Sequence, residues 1–372
     1  MNRKFMANFY WSQPYTSSMG MLRILLALSV FMDHVPQSTF NNLSFSGFGG
    51  ANAVEMFFVI SGFYIAWILD KSYSTKLGFY KNRALRLYPV YFIICLLVLV
   101  RCAFLPNIRA ELFSYPSPVL ILGTIANLTF FGSDWLTFLS LSASGLHFGA
   151  FSDSFLQLRN MLLVPQSWSL GIEVAFYLLA PILCKAKTRT LIACSVLMLA
   201  VRTFFAVLEL THNAWTYRFF PFELPLFLLG ILLYRMKSTK NPQLRFRGGS
   251  VYSILIFFFL AFPIILEKLS INRFFQLALL FILVSIVILF AEENPWDRKL
   301  GELSYPIYMS HVLVIGSFAG LMSFYSERIP VIGSLSNPGI GVVATLALTI
   351  VLSLILLRVV KPIERIRDGN RK

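Results

Sequence analysis

Long apolar segments follow one another along almost the whole chain and are separated by short polar connections. An α-helix needs about 20 mostly apolar residues to cross a bilayer. The segments that approach this length lie near residues 20–40, 51–70, 86–105, 118–133, 168–185, 190–209, 217–236, 250–267, 274–291, 303–325 and 339–360. This pattern predicts an all-α integral membrane protein whose helices form one bundle.

The basic residues indicate which segments cross the membrane, because lysine and arginine accumulate in cytoplasmic loops. They cluster at residues 3–4, 71–86, 185–189, 235–247, 298–299 and 358–372. All of these clusters fall on one side if the weak segment 118–133 does not cross. We therefore expect about ten spans, both termini in the cytoplasm, and a re-entrant or outer excursion near 106–167.

The composition agrees with a membrane protein. The chain has 372 residues, of which 57% are hydrophobic and 13% charged, whereas a soluble domain carries about 25% charged residues. The net charge of +15 comes from basic residues in short loops, so we expect membrane lipid around the protein and no nucleic-acid partner. We expect one domain over 1–372, no separate soluble domain, and no metal site, because the four cysteines form no Cys-x-x-Cys pair.

Ionisable residues within the apolar segments are candidates for function, because a charge at the bilayer centre costs at least about 2.5–3.5 kcal/mol. Arg23 and His34 are eleven residues apart. This spacing places both on one helix face, with roughly 16 Å between them along the axis. Asp33 directly precedes His34 and is a candidate orienting partner for its imidazole.

Two glutamates lie at the outer ends of other segments. Glu55 is near the start of the second segment and Glu173 near the start of the fifth, with Tyr177 one turn later on the same helix face. A histidine with nearby carboxylates has the groups that general-base catalysis needs. The alternative is that these glutamates are structural partners of Arg23 or of an indole N–H.

A pair of arginines marks the inner end of the third segment. Arg83 and Arg86 are three residues apart, so they share a helix face. Two guanidinium groups in this arrangement bind phosphate oxygens well, and Arg23 is predicted at similar depth. The alternative is that the pair only anchors the helix at the cytoplasmic surface.

Five motifs stand in the order found in the membrane-bound acyltransferase-3 family, which the chain resembles over about residues 20–361. These motifs are Arg23-x10-His34, the apolar stretch 49–63, Arg83-x-x-Arg86, Trp168-Ser169-Leu170-x-x-Glu173 and the stretch 300–311 that ends at His311. The sequence departs from the family pattern at Glu55, where members often have aspartate.

The resemblance implies an enzyme of the bacterial cytoplasmic membrane. It would transfer an acyl group from cytoplasmic acyl-CoA, usually acetyl-CoA, to a hydroxyl of an extracytoplasmic or lipid-linked glycan. An extracytoplasmic partner enzyme that completes the transfer is compatible with it. The implied catalytic residues are His34 as general base with Glu173 or Asp33 as its partner, the implied CoA-binding residues are Arg83, Arg86 and Arg23, and the expected acceptor-site residues are Glu55, Trp168, Tyr177 and His311.

The sequence leaves several alternatives open. Direct transfer and a covalent acyl-histidine intermediate use the same residues. A glycolipid or ion transporter would also need charges inside the membrane, although it would not need a CoA site. A non-catalytic membrane scaffold would leave the acid–base residues without a role.

Overall fold

The computed structural model describes residues 19–35, 49–72, 75–104, 115–149, 151, 155–208, 210, 212–239, 273–291, 294–325 and 338–369. The α-helices in these ranges are α1 (Gly20–His34), α2 (Gly50–Lys71), α3 (Lys76–Phe104), α4 (Ser117–Thr129), α5 (Trp168–Leu183), α6 (Thr188–Val207), α7 (Asn213–Tyr217), α8 (Phe220–Thr239), α9 (Arg273–Phe290), α10 (Pro295–Tyr325) and α11 (Pro338–Gly369). The all-α membrane fold predicted from the sequence is confirmed.

Seven helices in the described ranges are long and apolar enough to cross a membrane. They correspond to α2, α3, α5, α6, α8, α10 and α11. The predicted segment 250–267 lies outside the described residues, so the expected number of ten spans stays a prediction. Helix α3 begins at Lys76, ten residues before the predicted apolar segment. Arg83 and Arg86 therefore belong to the spanning helix itself.

The described residues between α3 and α5 lie in the stretch 106–167, for which the charge pattern predicts a re-entrant or outer excursion. Helix α4 has 13 residues and is about 20 Å long, which is short of the roughly 30 Å hydrocarbon core. Asn127 fixes its position, because its amide nitrogen donates to the Met161 carbonyl and its oxygen accepts from the Leu163 N–H. After α4, the strands β1 (Leu139–Ser142), β2 (Gly145–Phe148) and β3 (Leu156–Gln157) form a small antiparallel sheet in the order β2-β1-β3.

Helices α2 and α8 pack with their backbones in close contact at two glycines. A Cβ atom on Gly62 would lie 2.1 Å from the Phe227 carbonyl oxygen, and one on Gly230 would lie 2.1 Å from that of Val59. Small residues allow such close approach between membrane helices. This contact holds α2 in the centre of the bundle, where its side chains line the site described below.

Helices α1 and α10 also approach each other closely. The Asp297 carboxylate accepts hydrogen bonds from the backbone N–H groups of Gly20 (2.7 Å) and Met21 (2.6 Å). These N–H groups have no partner within α1 because they belong to its first turn, and the carboxylate also complements the positive end of the helix. Asp297 thereby fixes the start of α1, three residues before Arg23.

Gly62→Ala is predicted to destabilise the protein by about 1–3 kcal/mol, because its methyl group would overlap the Phe227 carbonyl of α8. The matched control is Gly320→Ala in α10, where a Cβ atom would meet no atom within 4 Å. The control should be neutral or gain up to about 1 kcal/mol. Thermal unfolding in one detergent measures both variants, and equal stability of the two would contradict the close packing.

Asp134 lies in the excursion, and its burial raises the pKa of its carboxyl to about 7 despite backbone hydrogen bonds that lower it. When the pKa of a carboxyl is higher in the folded state, ionisation of that carboxyl makes the folded protein less stable. The loss develops between the unfolded and folded pKa values, here from about pH 4 to pH 7. Asp134→Asn should therefore stabilise the protein at pH 8, on the order of 1–4 kcal/mol, and change little at pH 4. Unfolding temperatures at the two pH values test this, and an equal effect at both would contradict it.

Candidate active site

A narrow cavity of about 100 Å³ lies between α1, α2, α3, α5 and α10. This volume is smaller than the roughly 300–1,000 Å³ of pockets that enclose a whole drug-sized ligand. Only a slender group fits inside it. The polar residues that line it are Arg23, Ser61, Tyr64, Arg83, Arg86, Ser169, Glu173, Tyr177, Ser304, Tyr305 and Tyr308.

Three arginines line this cavity together. Arg23 comes from α1, and Arg83 and Arg86 come from successive turns of α3. Arg83 is 4% exposed and donates from Nη2 to the Asn82 side-chain oxygen at 2.8 Å. The structure thus brings together the three residues that the sequence assigned to a phosphate clamp.

Glu173 is the single carboxylate among the described residues that line the cavity. One of its oxygens accepts hydrogen bonds from the hydroxyls of Ser61 at 2.7 Å and Tyr177 at 2.5 Å. The sequence predicted that Glu173 and Tyr177 lie next to each other on one helix face, and their hydrogen bond confirms this. Three guanidinium groups against one carboxylate leave an excess of positive charge, which favours an anionic ligand.

Tyr308 forms part of the cavity wall and is held in place from both sides. Its hydroxyl lies 2.8 Å from the Ser169 hydroxyl. The side-chain amide of Gln166 donates to the backbone carbonyls of Tyr308 and Met309 at 3.0 and 2.9 Å. These contacts connect the start of α5 to the middle of α10.

Two histidines contact each other, His34 at the C-terminal end of α1 and His311 in the middle of α10. The ring centroids of His34 and His311 are 4.8 Å apart, and the rings are nearly perpendicular. His34 Nδ1 lies 2.8 Å from the Val30 carbonyl oxygen, and His311 Nδ1 lies 2.8 Å from that of Tyr308. Because a carbonyl only accepts, each Nδ1 donates this hydrogen bond, and Nε2 is the ring nitrogen left to act as a base.

The arginine cavity and the histidine pair are successive sites along the bundle. His34 is exposed and is not among the residues that line the cavity. His311 is fully buried, and its ring lies 5.9 Å from that of Tyr308. The ring contacts from His34 to His311 and from His311 to Tyr308 connect the histidine pair to the cavity wall.

The expected orienting partners of His34 occupy other positions. Glu173 is bound to Ser61 and Tyr177, and the carbonyl of Val30 orients the imidazole instead. Asp33 is exposed, and its carboxylate lies against Gly50. A Cβ atom built on Gly50 would be 2.5 Å from Oδ2 of Asp33. Its charge is thereby near the positive end of α2.

Glu55 takes part in a separate buried ion cluster. Arg202 Nη2 lies 3.0 Å from Glu55 Oε1, and Arg202 Nη1 lies 3.5 Å from Glu223 Oε1. The same arginine donates to the Thr216 carbonyl. The sequence interpretation overlooked Arg202, although a lone arginine in the apolar segment 190–209 was a visible signal. This cluster connects α2, α6 and α8 and is not part of the cavity lining.

Trp168 is buried beside the cavity and does not line it. Its ring lies 4.9 Å from the guanidinium carbon of Arg218 and 5.5 Å from the ring of Tyr217. A cation over an indole ring is a favourable contact. Among the described residues, no group of three or more histidines, cysteines and carboxylates is placed to hold a metal ion.

The comparisons with known proteins identify relatives over different parts of the chain. A family model described as an acyltransferase domain matches residues 17–358. A protein of Aquifex aeolicus, described as uncharacterized, is 29% identical over 157 residues, which cover 40% of this chain and 69% of that protein. The peptidoglycan O-acetyltransferase OatA of Listeria monocytogenes is 29% identical over 184 residues, which cover 46% of this chain. No solved structure matches significantly.

The family match includes all five sequence motifs and every residue of the arginine cavity. The match to the Listeria protein spans 24% of that protein's length, so it concerns one part of a longer chain. The apolar helices agree with a membrane location. The chain therefore belongs to the acyltransferase-3 family, and it is an integral membrane acyltransferase.

Proposed function

We propose that this protein transfers an acetyl group from cytoplasmic acetyl-CoA to a hydroxyl of an extracytoplasmic or lipid-linked glycan. Membership of the acyltransferase family supports acyl transfer. The name of the Listeria relative, a peptidoglycan O-acetyltransferase, supports acetyl as the group and a glycan hydroxyl as the acceptor. The proposed location is a bacterial cytoplasmic membrane, with both termini in the cytoplasm.

The arginine cavity is the observation that carries this proposal. Arg23, Arg83 and Arg86 line a space near the N-terminal ends of α1 and α3, which this proposal puts on the cytoplasmic side. Guanidinium groups are well suited to phosphate oxygens. The narrow space fits the slender pantetheine arm of CoA, while the bulkier nucleotide stays closer to the cytoplasm.

The histidine pair supplies the acid–base chemistry of the acceptor side. His34 Nε2 accepts the proton of the glycan hydroxyl while the hydroxyl oxygen attacks the thioester carbonyl. The C–O bond forms, the C–S bond breaks, and the proton then neutralises the CoA thiolate. The net reaction converts the hydroxyl and acetyl-CoA into an acetyl ester and free CoA. The Val30 carbonyl keeps the imidazole in the required tautomer.

Tyr308 stands between the two halves of this proposed reaction. In this proposal the Tyr308 side chain turns away from Ser169 as the thioester approaches His34, which breaks their hydrogen bond. Donor binding at the arginines is the event that we expect to favour this movement. In this proposal, a closed Tyr308 also keeps water away from the thioester before an acceptor is present.

The direct test compares surface glycan from cells with and without this protein by mass spectrometry. The proposal predicts a mass difference of one acetyl group per modified sugar, removable by mild alkali because it is an ester. Glycan of identical mass from both strains would contradict the proposal.

His34→Ala is predicted to lower acetyl transfer by roughly 10²–10⁴-fold, the usual contribution of a general base. The matched control is His147→Ala, because His147 lies on β2 and contacts Ser142 and Ser144 in the outer sheet. Transfer from radiolabelled acetyl-CoA to glycan measures both variants. Full activity of the His34 variant would show that another group is the base.

Arg83→Ala combined with Arg86→Ala is predicted to weaken acetyl-CoA binding by at least roughly tenfold, because each charged hydrogen bond contributes about 1.5–3 kcal/mol. Arg189→Ala is the control, since Arg189 is exposed at the start of α6 and does not line the cavity. Equilibrium binding of acetyl-CoA to purified protein gives the comparison. An unchanged affinity of the double variant would exclude these arginines from the donor site.

A further inference from the structure

A second cavity lies at the inner ends of α2, α3, α5 and α8. Its volume is about 410 Å³, which falls within the roughly 300–1,000 Å³ typical of ligand pockets. Ala66, Leu69 and Ile231 contribute apolar surface, and Lys76, Lys185 and Arg235 contribute positive charge. Neither the family motifs nor the proposed reaction assigns a role to this cavity.

The second cavity follows the arginine cavity along three shared helices. On α5 the lining passes from Tyr177 to Pro181, and on α3 it passes from Arg83 back to Lys76. At 1.5 Å per helical residue, these steps correspond to about 6 and 10 Å. Both steps lead toward the basic, inner ends of the helices. A long molecule with its slender end among the arginines would extend in the direction of this second cavity.

The charges around the second cavity favour an anion. Lys76 and Lys185 are exposed at its rim. Arg235 is held by the Thr188 hydroxyl and by the carbonyls of Cys184 and Ala186, so its charge has a fixed position.

One carboxylate, Asp70, also lines this cavity. It is bound by Lys71 Nζ at 3.0 Å and by the Tyr234 hydroxyl at 2.5 Å. Lys71 therefore compensates the carboxylate of Asp70, and among the described lining residues the cationic groups outnumber the carboxylates.

We propose that this second cavity binds the nucleotide end of the acyl-CoA donor, with Lys76 and Lys185 contacting its ribose 3′-phosphate. This inference rests on the proposed function, because it extends the donor site of the same reaction. CoA carries its 3′-phosphate at the end opposite the thioester, beyond the diphosphate. If the pantetheine arm enters among Arg83 and Arg86, the 3′-phosphate lies on the cytoplasmic side of the arginines. The apolar wall of the second cavity is suited to the faces of the adenine ring.

Dephospho-coenzyme A provides a selective probe, because it differs from coenzyme A only by the missing 3′-phosphate. The full-length protein is placed in nanodiscs of phosphatidylcholine, and its affinity for both compounds is measured. The wild type should bind coenzyme A at least roughly tenfold more tightly, as expected for a charged hydrogen bond. Lys76→Ala combined with Lys185→Ala should reduce this preference to about one and leave the affinity for dephospho-coenzyme A unchanged.

Lys81→Ala combined with Lys187→Ala is the matched control. Both lysines are exposed at the inner ends of α3 and α6, and neither lines the cavity. This variant loses the same charge and should keep the preference for coenzyme A. Monodisperse elution and unchanged thermal unfolding of both double variants establish that each is folded.

The outcomes separate this inference from the proposed function. Equal binding of the two compounds by the wild type, or a full preference in the Lys76 and Lys185 variant, would overturn the nucleotide site and leave the donor assignment intact. If the wild type bound neither coenzyme A nor dephospho-coenzyme A, the donor assignment would be overturned as well. If phosphatidylglycerol added to the nanodiscs abolished the wild-type preference for coenzyme A, the site would belong to a lipid headgroup instead.

Discussion

Charged groups inside a membrane bundle need a partner or a polar cavity, because the loss of hydration is expensive for each charge. The structure shows two solutions to this constraint. Arg202 lies between Glu55 and Glu223, so each of these charged groups has an oppositely charged partner, and the cluster connects three helices. The described lining of the first cavity contains three guanidinium groups and one carboxylate, that of Glu173. The proposed donor site rests on this excess of positive charge.

Close helix contacts put these charges in position. The glycine contacts between α2 and α8 bring Ser61 of α2 within reach of Glu173 on α5. The Asp297 carboxylate fixes the first turn of α1, and a Cβ atom on Gly301 would lie 3.4 Å from Arg23 Nη1. The arginine therefore depends on small residues of α10 for its space. Packing thus determines where the charges lie, and the charges determine what binds.

Much of this arrangement was predictable from the sequence, because local periodicity determines which residues share a helix face. The neighbourhood of Glu173 and Tyr177 and the convergence of the arginines both agree with that analysis. The position of Tyr308 was not predictable, since Gln166 and Ser169 hold it from a different helix. The partners of Glu55 escaped prediction for the same reason, because contacts across 147 residues leave no periodic pattern in the sequence.

The account depends most on the direction of transfer, from a donor at the inner arginines to an acceptor at the outer histidines. Sealed proteoliposomes with uniformly oriented protein measure this directly, with radiolabelled acetyl-CoA supplied on one side and the glycan acceptor on the other. The account predicts labelled glycan only when acetyl-CoA is on the side of the basic loops and the acceptor is on the opposite side. Labelling that requires donor and acceptor on the same side would contradict it.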